Sequence, residues 1–246
     1  VEIKKPEDAF PFINTRENYI ALNDISECMT DTQDGGPIYT WAAGRDNVIE
    51  NNHIHDSNIY FSIGYGIYGD DATMYAVYKK NIVDNLQKEG GGSLNAAIIT
   101  KGVGHSLINN FILNNPNARK GAYSTETKLV DSHNHMVYRN NITMNSSDQL
   151  HGQWKWYDDR FDLCDYNLYY NDSGKYLIYN NDKAKNLEEW KKINTASGYM
   201  DTQSISGENP NFVDYDNGDY RLRYDSPAYR IGIEDIDQKN IGVTED

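Results

Sequence analysis

Six short stretches of this chain share one frame, a residue followed two places later by Ile or Leu. They are Asn23-Asp24-Ile25, Asn52-His53-Ile54, Lys80-Asn81-Ile82, Asn110-Phe111-Ile112, Asn140-Asn141-Ile142 and Tyr166-Asn167-Leu168. Their first residues recur at intervals of 29, 28, 30, 30 and 26, and four of the six are Asn. A near-constant period of this size marks a repeat architecture, in which each unit is one supersecondary element buried by its neighbours. Apolar runs of three to five residues with Asn, Gly and Asp punctuation fill the units, as in Asn47-Val48-Ile49-Glu50-Asn51-Asn52-His53-Ile54-His55-Asp56. These read as short strands and turns.

Leucine-rich repeats are excluded because no Leu-x-x-Leu-x-Leu frame is present, and propellers because a blade needs about 40 residues. A parallel β-helix with about three short strands per coil satisfies the period. Stacked coils would place the frame asparagines in a hydrogen-bonded ladder, interrupted at Lys80 and Tyr166. The coils span 1–180. Residues 181–246 break the pattern: Asn186-Leu187-Glu188-Glu189-Trp190-Lys191-Lys192-Ile193 reads as a short amphipathic helix capped at Asn186. With the strand-like segments after it, this tail is expected to form a helix-plus-hairpin cap on the last coil, covering an edge that would otherwise template aggregation.

The chain has 246 residues, 38% hydrophobic, with 20 Tyr against 6 Phe and 4 Trp, a bias suited to strands with wet aromatic surfaces. Its net charge of −14 argues against nucleic acid and anionic membrane surfaces, and weighs against polyuronates unless a cation intervenes. No apolar run reaches the ~18 residues of a membrane span. Cys28 and Cys164 fall in different repeats and read as unpaired thiols. The chain opens at Val1 without a signal peptide, as a processed product or an excised domain would; further coils or a partner chain would then precede it.

The tail Asn209-Pro210-Asn211-Phe212-Val213-Asp214, Gly218-Asp219-Tyr220-Arg221-Leu222 and Ser226-Pro227-Ala228 resembles the end of bacterial parallel β-helix enzymes acting on polysaccharides. So do Asp34-Gly35-Gly36-Pro37-Ile38-Tyr39-Thr40-Trp41 and Gly66-Ile67-Tyr68-Gly69-Asp70-Asp71. Over residues 17–232 the chain is similar to β-helical glycoside hydrolases, the β-xylosidase-like and α-fucosidase-like groups. The resemblance implies an all-β right-handed parallel β-helix, a secreted, periplasmic or cell-surface location, and a polysaccharide or oligosaccharide substrate. In the β-xylosidase-like group an Ile-Tyr-x-Asp segment carries the nucleophile, which matches Asp70. The acid/base Glu expected one coil later is replaced by Thr100-Lys101.

The segments ending at Trp41, Asp70 and Lys101 recur close to the repeat, so these side chains should form one column with strands about 4.8 Å apart. Glycoside hydrolysis needs two carboxyls, roughly 5 Å apart for retention and roughly 6.5–9.5 Å for inversion. Asp34, set before Gly35-Gly36, is the favoured partner of Asp70; Asp71, Glu89 and Glu126 are the others. Trp41, Lys101, His105, Tyr68, Glu126 and Trp154 are candidate substrate contacts, with a turn role equally open for His105. His53 and His55 share a face with Asp56 nearby, but no third ligand has metal-site spacing, so they read as structural. His133 and His135 alternate likewise, without a ligand pattern.

Three readings follow. A hydrolase acting on a neutral or lightly charged glycan would need no cofactor. A lyase would use Lys101 as base on a uronate, with Ca²⁺ held by Asp70 and Asp71. A non-catalytic solenoid would bind glycan without turnover.

Overall fold

The computed structural model describes residues 2, 4, 6–59, 63–86, 94–118, 123–126, 135–153, 161–180, 183–195 and 198–243. Three sheets of parallel strands run the length of a β-solenoid. Successive coils add one strand to each in turn. The first sheet stacks Tyr19–Ala21, Val48–Glu50, Val77–Lys79, Ser106–Ile108, Met136–Arg139 and Phe161–Asp165. The second begins Asp24–Ile25, His53–His55, Ile82–Asp84, Phe111–Leu113 and continues through Ile142–Met144 and Leu168–Tyr170 to Ile205–Ser206. The third carries Ile38–Thr40, Gly64–Gly69, Leu94–Lys101, Tyr123–Glu126, Gln149–Gln153 and Leu177–Asn180, closed by the antiparallel Lys183–Asn186. Inside the coils Ile49, Ile54, Ile67, Val83, Ile98, Leu107 and Ile112 stack in one buried core.

The asparagine ladder exists, but its register differs from the sequence frame. It runs Asn23, Asn52, Asn81, Asn110, Asn141, Asn167, each side-chain Nδ2 donating to the next Oδ1 over 2.8, 3.0, 3.0, 3.0 and 3.2 Å. Lys80 and Tyr166 do not interrupt it. With Asn140 they occupy the place before the ladder residue, where the backbone is left-handed with φ of 53°, 60° and 57°. That conformation turns the chain from first to second sheet, and the following Asn satisfies the amides the turn exposes. Asn141, which also begins a glycosylation-type triplet, is thereby sealed inside the ladder with no exposed surface.

The ladder ends on a buried carboxylate. Asp201 accepts from Asn167 Nδ2 at 3.2 Å, Ser204 Oγ at 2.6 Å, Tyr169 OH at 3.0 Å and Trp190 Nε1 at 2.8 Å. Burial alone would raise this carboxyl, but those donors and nearby His151 hold it below its ordinary value. Trp190 belongs to the helix Leu187–Trp190, whose N-cap Asn186 accepts from Glu189 N–H at 2.8 Å. Leu187 and Trp190 close the end of the inner core.

Ile205–Ser206 still stacks on the last coil, but the tail beyond it does not. The hairpin Phe212–Asp214 and Asp219–Leu222 lies along the outer face of the second sheet, burying Phe212, Tyr220, Leu222, Ala228, Ile233 and Ile236 against Ile82, Phe111, Leu113, Ile142, Met144 and Leu168. Fully burying one such side chain stabilises by about 1.5–3 kcal/mol. The segment then runs back toward the first coil. Asn140 Nδ2 donates to Ile231 O, Asn109 exchanges two bonds with Glu234, and Gly242 N–H donates to Leu22 O at 2.9 Å. A strap along the flank therefore replaces the expected terminal hairpin cap, because six apolar outward side chains needed cover. Cys28 and Cys164 are both free thiols. No helix among the described residues is long and apolar enough to cross a membrane.

Candidate functional site

On the outer face of the third sheet Tyr39 and Trp41 are exposed, whereas Tyr65, Tyr68, Asp70, Ile99 and Lys101 are buried. Ile38, Ile67 and Ile98 are register partners and point into the core, so Tyr39, Tyr68 and Ile99 point outward beside one another. Two residues further along each strand direction, Trp41, Asp70 and Lys101 return to the same outer face. The column expected from the repeat is present at Asp70 and Lys101, whose Oδ1 and Nζ lie 2.7 Å apart. Trp41 follows its strand and is 63% exposed.

Asp70 is held by three donors. Lys101 Nζ and Tyr68 OH both reach Oδ1, at 2.7 Å each, and Tyr39 OH donates to Oδ2 at 2.8 Å. Lys101 Nζ also donates to Tyr68 OH at 2.6 Å and stands 5.0 Å above that ring. Burial works to raise the Asp70 carboxyl, but Lys101, Tyr68 and Tyr39 outweigh it and keep it ionised below the usual range. Burial, then the bond to Asp70, pushes Tyr39 up to about 12 and Tyr68 further, so both phenols remain donors. Tyr39 packs edge-on to Tyr68 with ring centroids 5.2 Å apart, and Tyr65 lies 4.4 Å from Tyr68.

Asp71 lies 4.0 Å from Lys101. Asp34 is exposed at a left-handed turn, and its charge is felt at the hydroxyls of both Tyr39 and Tyr68. Strand pairing sets Glu126 beside Lys101 one coil on. Glu89, His133 and Trp154 lie outside the described residues, as does the side chain of Glu126. Tyr68, expected to touch substrate, is 1% exposed and forms the floor beneath Asp70.

His105 requires a correction. It has no exposed surface: Nδ1 accepts the Ala76 amide at 3.2 Å and Nε2 donates to Lys101 O at 2.8 Å. Burial depresses its pKa to about 4, so the ring is neutral. It stands where Asn47 stands two coils earlier, one place before a first-sheet strand, accepting a neighbouring amide as Asn47 Oδ1 does from Asn18. His105 is a strut of the coil rather than a glycan contact.

Tyr39 was not singled out from the sequence. Its signal was the repeat itself: Tyr39 and Tyr68 are register partners, each two places before the column. A depression of about 640 Å³ lies elsewhere, among Asn114, Asn145, Asp148 and Asn171. The Asp70 and Lys101 side chains lie largely buried on a sheet face, with Tyr39 and Trp41 exposed beside them.

A second polar group lies on the second sheet. His53 and His55 stack there with ring centroids 4.2 Å apart, and Asp24 from the preceding coil completes a cluster of potential metal ligands. The third ligand that the local spacing lacked comes from the neighbouring coil.

No family model, no curated protein and no solved structure matches the chain. The fold establishes a parallel β-solenoid.

Proposed function

We propose that this protein is a carbohydrate-active enzyme, a glycoside hydrolase that lays a neutral or lightly charged glycan along the outer face of the third sheet. The observation that carries the reading is the ionised Asp70 carboxylate, fixed by Tyr39, Tyr68 and Lys101 and edged by the exposed Trp41. Trp41 and Tyr39 are the stacking surfaces for sugar rings. Lys101 neutralises Asp70, and Oδ2 retains acceptor capacity toward a water or an anomeric carbon.

The second carboxyl is sought among Asp34, the favoured partner, Asp71 and Glu126. Strand pairing puts the Glu126 backbone two strands from that of Asp70, roughly 9–10 Å away. The lyase reading is weaker, because Lys101 Nζ is already engaged as a hydrogen-bond donor to Asp70 and Tyr68. A polysaccharide substrate goes with a secreted, periplasmic or cell-surface location.

The test is a panel of plant-type and microbial polysaccharides incubated with wild type, Asp70→Asn, Asp34→Asn, Asp71→Asn, Glu126→Gln and Tyr39→Phe. New reducing ends should appear with wild type and fall by about 10²–10⁴-fold in Asp70→Asn and in one of the Asp34, Asp71 and Glu126 variants. Tyr39→Phe preserves shape and should lose less. Undiminished turnover in Asp70→Asn, or products carrying a new C=C bond, would overturn hydrolysis at this site. Glycan binding without turnover would reduce the protein to a lectin-like solenoid.

A further inference from the structure

The cluster on the second sheet has the arrangement of a metal centre with its outer supports in place. His53 and His55 alternate on one strand, so both rings project outward. Asp24 is the register partner of His53 in the coil before, and Asp84 is the partner of His55 in the coil after. The contacts run diagonally: His55 Nε2 lies 2.8 Å from Asp24 Oδ1, and His53 Nε2 lies 2.6 Å from Asp84 Oδ1.

Each imidazole therefore has two differently occupied ends. The far nitrogen of His53 is bound by Asp84, and the far nitrogen of His55, Nδ1, by Asp56 Oδ2 at 2.8 Å. The near nitrogens, His53 Nδ1 and His55 Nε2, face the same Asp24 carboxylate at 4.0 and 2.8 Å. One ligand atom from each of Asp24, His53 and His55 lies within 4.8 Å of the others. A tetrahedral ion with bonds of about 2.1 Å sets its ligands about 3.4 Å apart, a value inside that spread.

A carboxylate on the outer nitrogen of a ligating histidine is the device that fixes tautomer and ring orientation and increases ligand basicity. Here both histidines have one. Asp84 is itself anchored: its side chain is 3% exposed, and Oδ2 accepts from Tyr220 OH at 2.6 Å and Asn85 Nδ2 at 2.8 Å. Asp24, Asp56 and Asp84 supply three negative charges around two rings. His53, His55, Asp56 and Asp84, though not Asp24, line a pocket of about 450 Å³, whose far wall is Tyr215, Asp216 and Tyr220 of the strap.

We propose that Asp24, His53 and His55 bind one divalent transition-metal ion of the zinc class, with Asp56 and Asp84 as orienting carboxylates and a coordination position facing the strap pocket. Two histidines and one carboxylate suit Zn²⁺ or Fe²⁺ better than Ca²⁺ or Mg²⁺, which prefer oxygen ligands throughout. The assignment is independent of the Asp70 site, which lies on a different sheet.

Calorimetric titration of chelator-treated full-length protein with Zn²⁺ tests it. Wild type should bind one equivalent saturably, and His55→Ala should not. Asp56→Asn keeps the shape and the left-handed turn but removes the charge behind His55. It should weaken binding by about 10–100-fold with the metal-free melting temperature unchanged. Co²⁺ should give ligand-field absorption in wild type that His55→Ala abolishes, a readout that does not depend on stability. Equal Zn²⁺ affinity in wild type and His55→Ala, or no saturable binding, would show that the pair is only an imidazolium bridging aspartates.

Discussion

The ladder makes a quantitative claim at Asn110, the fourth of its six asparagines. Asn110 Oδ1 accepts from the Asn81 amide at 3.1 Å and from Asn81 Nδ2 at 3.0 Å, while its Nδ2 donates to Tyr78 O and Asn141 Oδ1, both at 3.0 Å. In Asn110→Ala the partners do not lose equally. Asn141 Oδ1 keeps the Asn110 backbone N–H at 2.9 Å, and Asn81 Nδ2 keeps Ile49 O at 2.9 Å. The buried Asn81 N–H loses its acceptor outright. One orphaned donor at about 1–3 kcal/mol, plus half-satisfied groups at Asn81 Nδ2 and Tyr78 O, gives about 3 kcal/mol in all.

Asn23→Ala is the control. Asn23 is exposed, so water replaces its bonds to Asn52 Oδ1 and Ala21 O, and the loss should stay below about 1 kcal/mol. Urea denaturation followed by circular dichroism should separate the two, and melting temperatures should fall by about 6–12 °C for Asn110→Ala alone. Equal losses in the two variants would refute the reasoning, since the same side chain in the same frame would then owe nothing to burial or to a partner on both sides.

His105 gives a pH signature. Its pKa is about 4 in the fold against 6.5 in the unfolded chain, so the unfolded state takes up the proton first. Its contribution is complete above pH 6.5 and is lost as pH falls toward 4, by about 3 kcal/mol. His105→Asn, which copies Asn47, should flatten that slope in pH-dependent denaturation; an unchanged slope would contradict the buried neutral ring. Trp41→Ala should weaken oligosaccharide binding about tenfold, or about 1.4 kcal/mol, with melting unchanged, as calorimetry and thermal scans can check. Tyr220→Phe removes a donor from the Asp84 carboxylate and should cost about 1.5–3 kcal/mol, with faster hydrogen exchange across Phe212–Leu222.

The period and the strand-turn grammar were readable from sequence because the ladder residue and its left-handed predecessor recur in every coil. The register was not, and the reason is physical. The frame used Ile or Leu two places on as its anchor, which assumes that one face of the second sheet is buried. In the middle coils both faces are. Val83 and Ile112 point into the inner core, whereas Ile82 and Phe111 point outward under the strap. Alternation then vanishes, and Lys80-x-Ile82 scores as well as Asn81-x-Val83. At the third sheet Gly64–Gly69 and Leu94–Lys101 are also buried on both faces almost throughout, but the inner position is an Ile in each of the first three coils, and the register of Ile38, Ile67 and Ile98 agreed with the sequence spacing. His105 stayed open between a sugar contact and a turn role for a related reason: a histidine four residues after a candidate lysine suggests chemistry, while its structural role is visible only once the coils are aligned with Asn47.

A contrast between coils locates the chemistry. Along the second sheet the outward positions change character: Asp24, His53, His55 and Asp84 in the early coils, then Phe111, Leu113, Ile142, Met144 and Leu168. The strap covers the apolar part, where burial stabilises it, and meets the polar part with Tyr220 and Asp216 at the pocket wall. Covering His53, His55 and Asp24 as tightly would strip water from charged groups at a cost of several kcal/mol per ion. The boundary of the strap is therefore set by the sheet beneath it, and the pocket is the gap left where apolar packing stops being favourable. By this argument His53→Leu with His55→Leu should remove Zn²⁺ binding and also lower the melting temperature, because Asp84, 3% exposed, loses its 2.6 Å contact to His53 while its charge stays buried. A raised melting temperature would instead mean that apolar packing under Tyr220 outweighs the bonds to Asp24, Asp56 and Asp84.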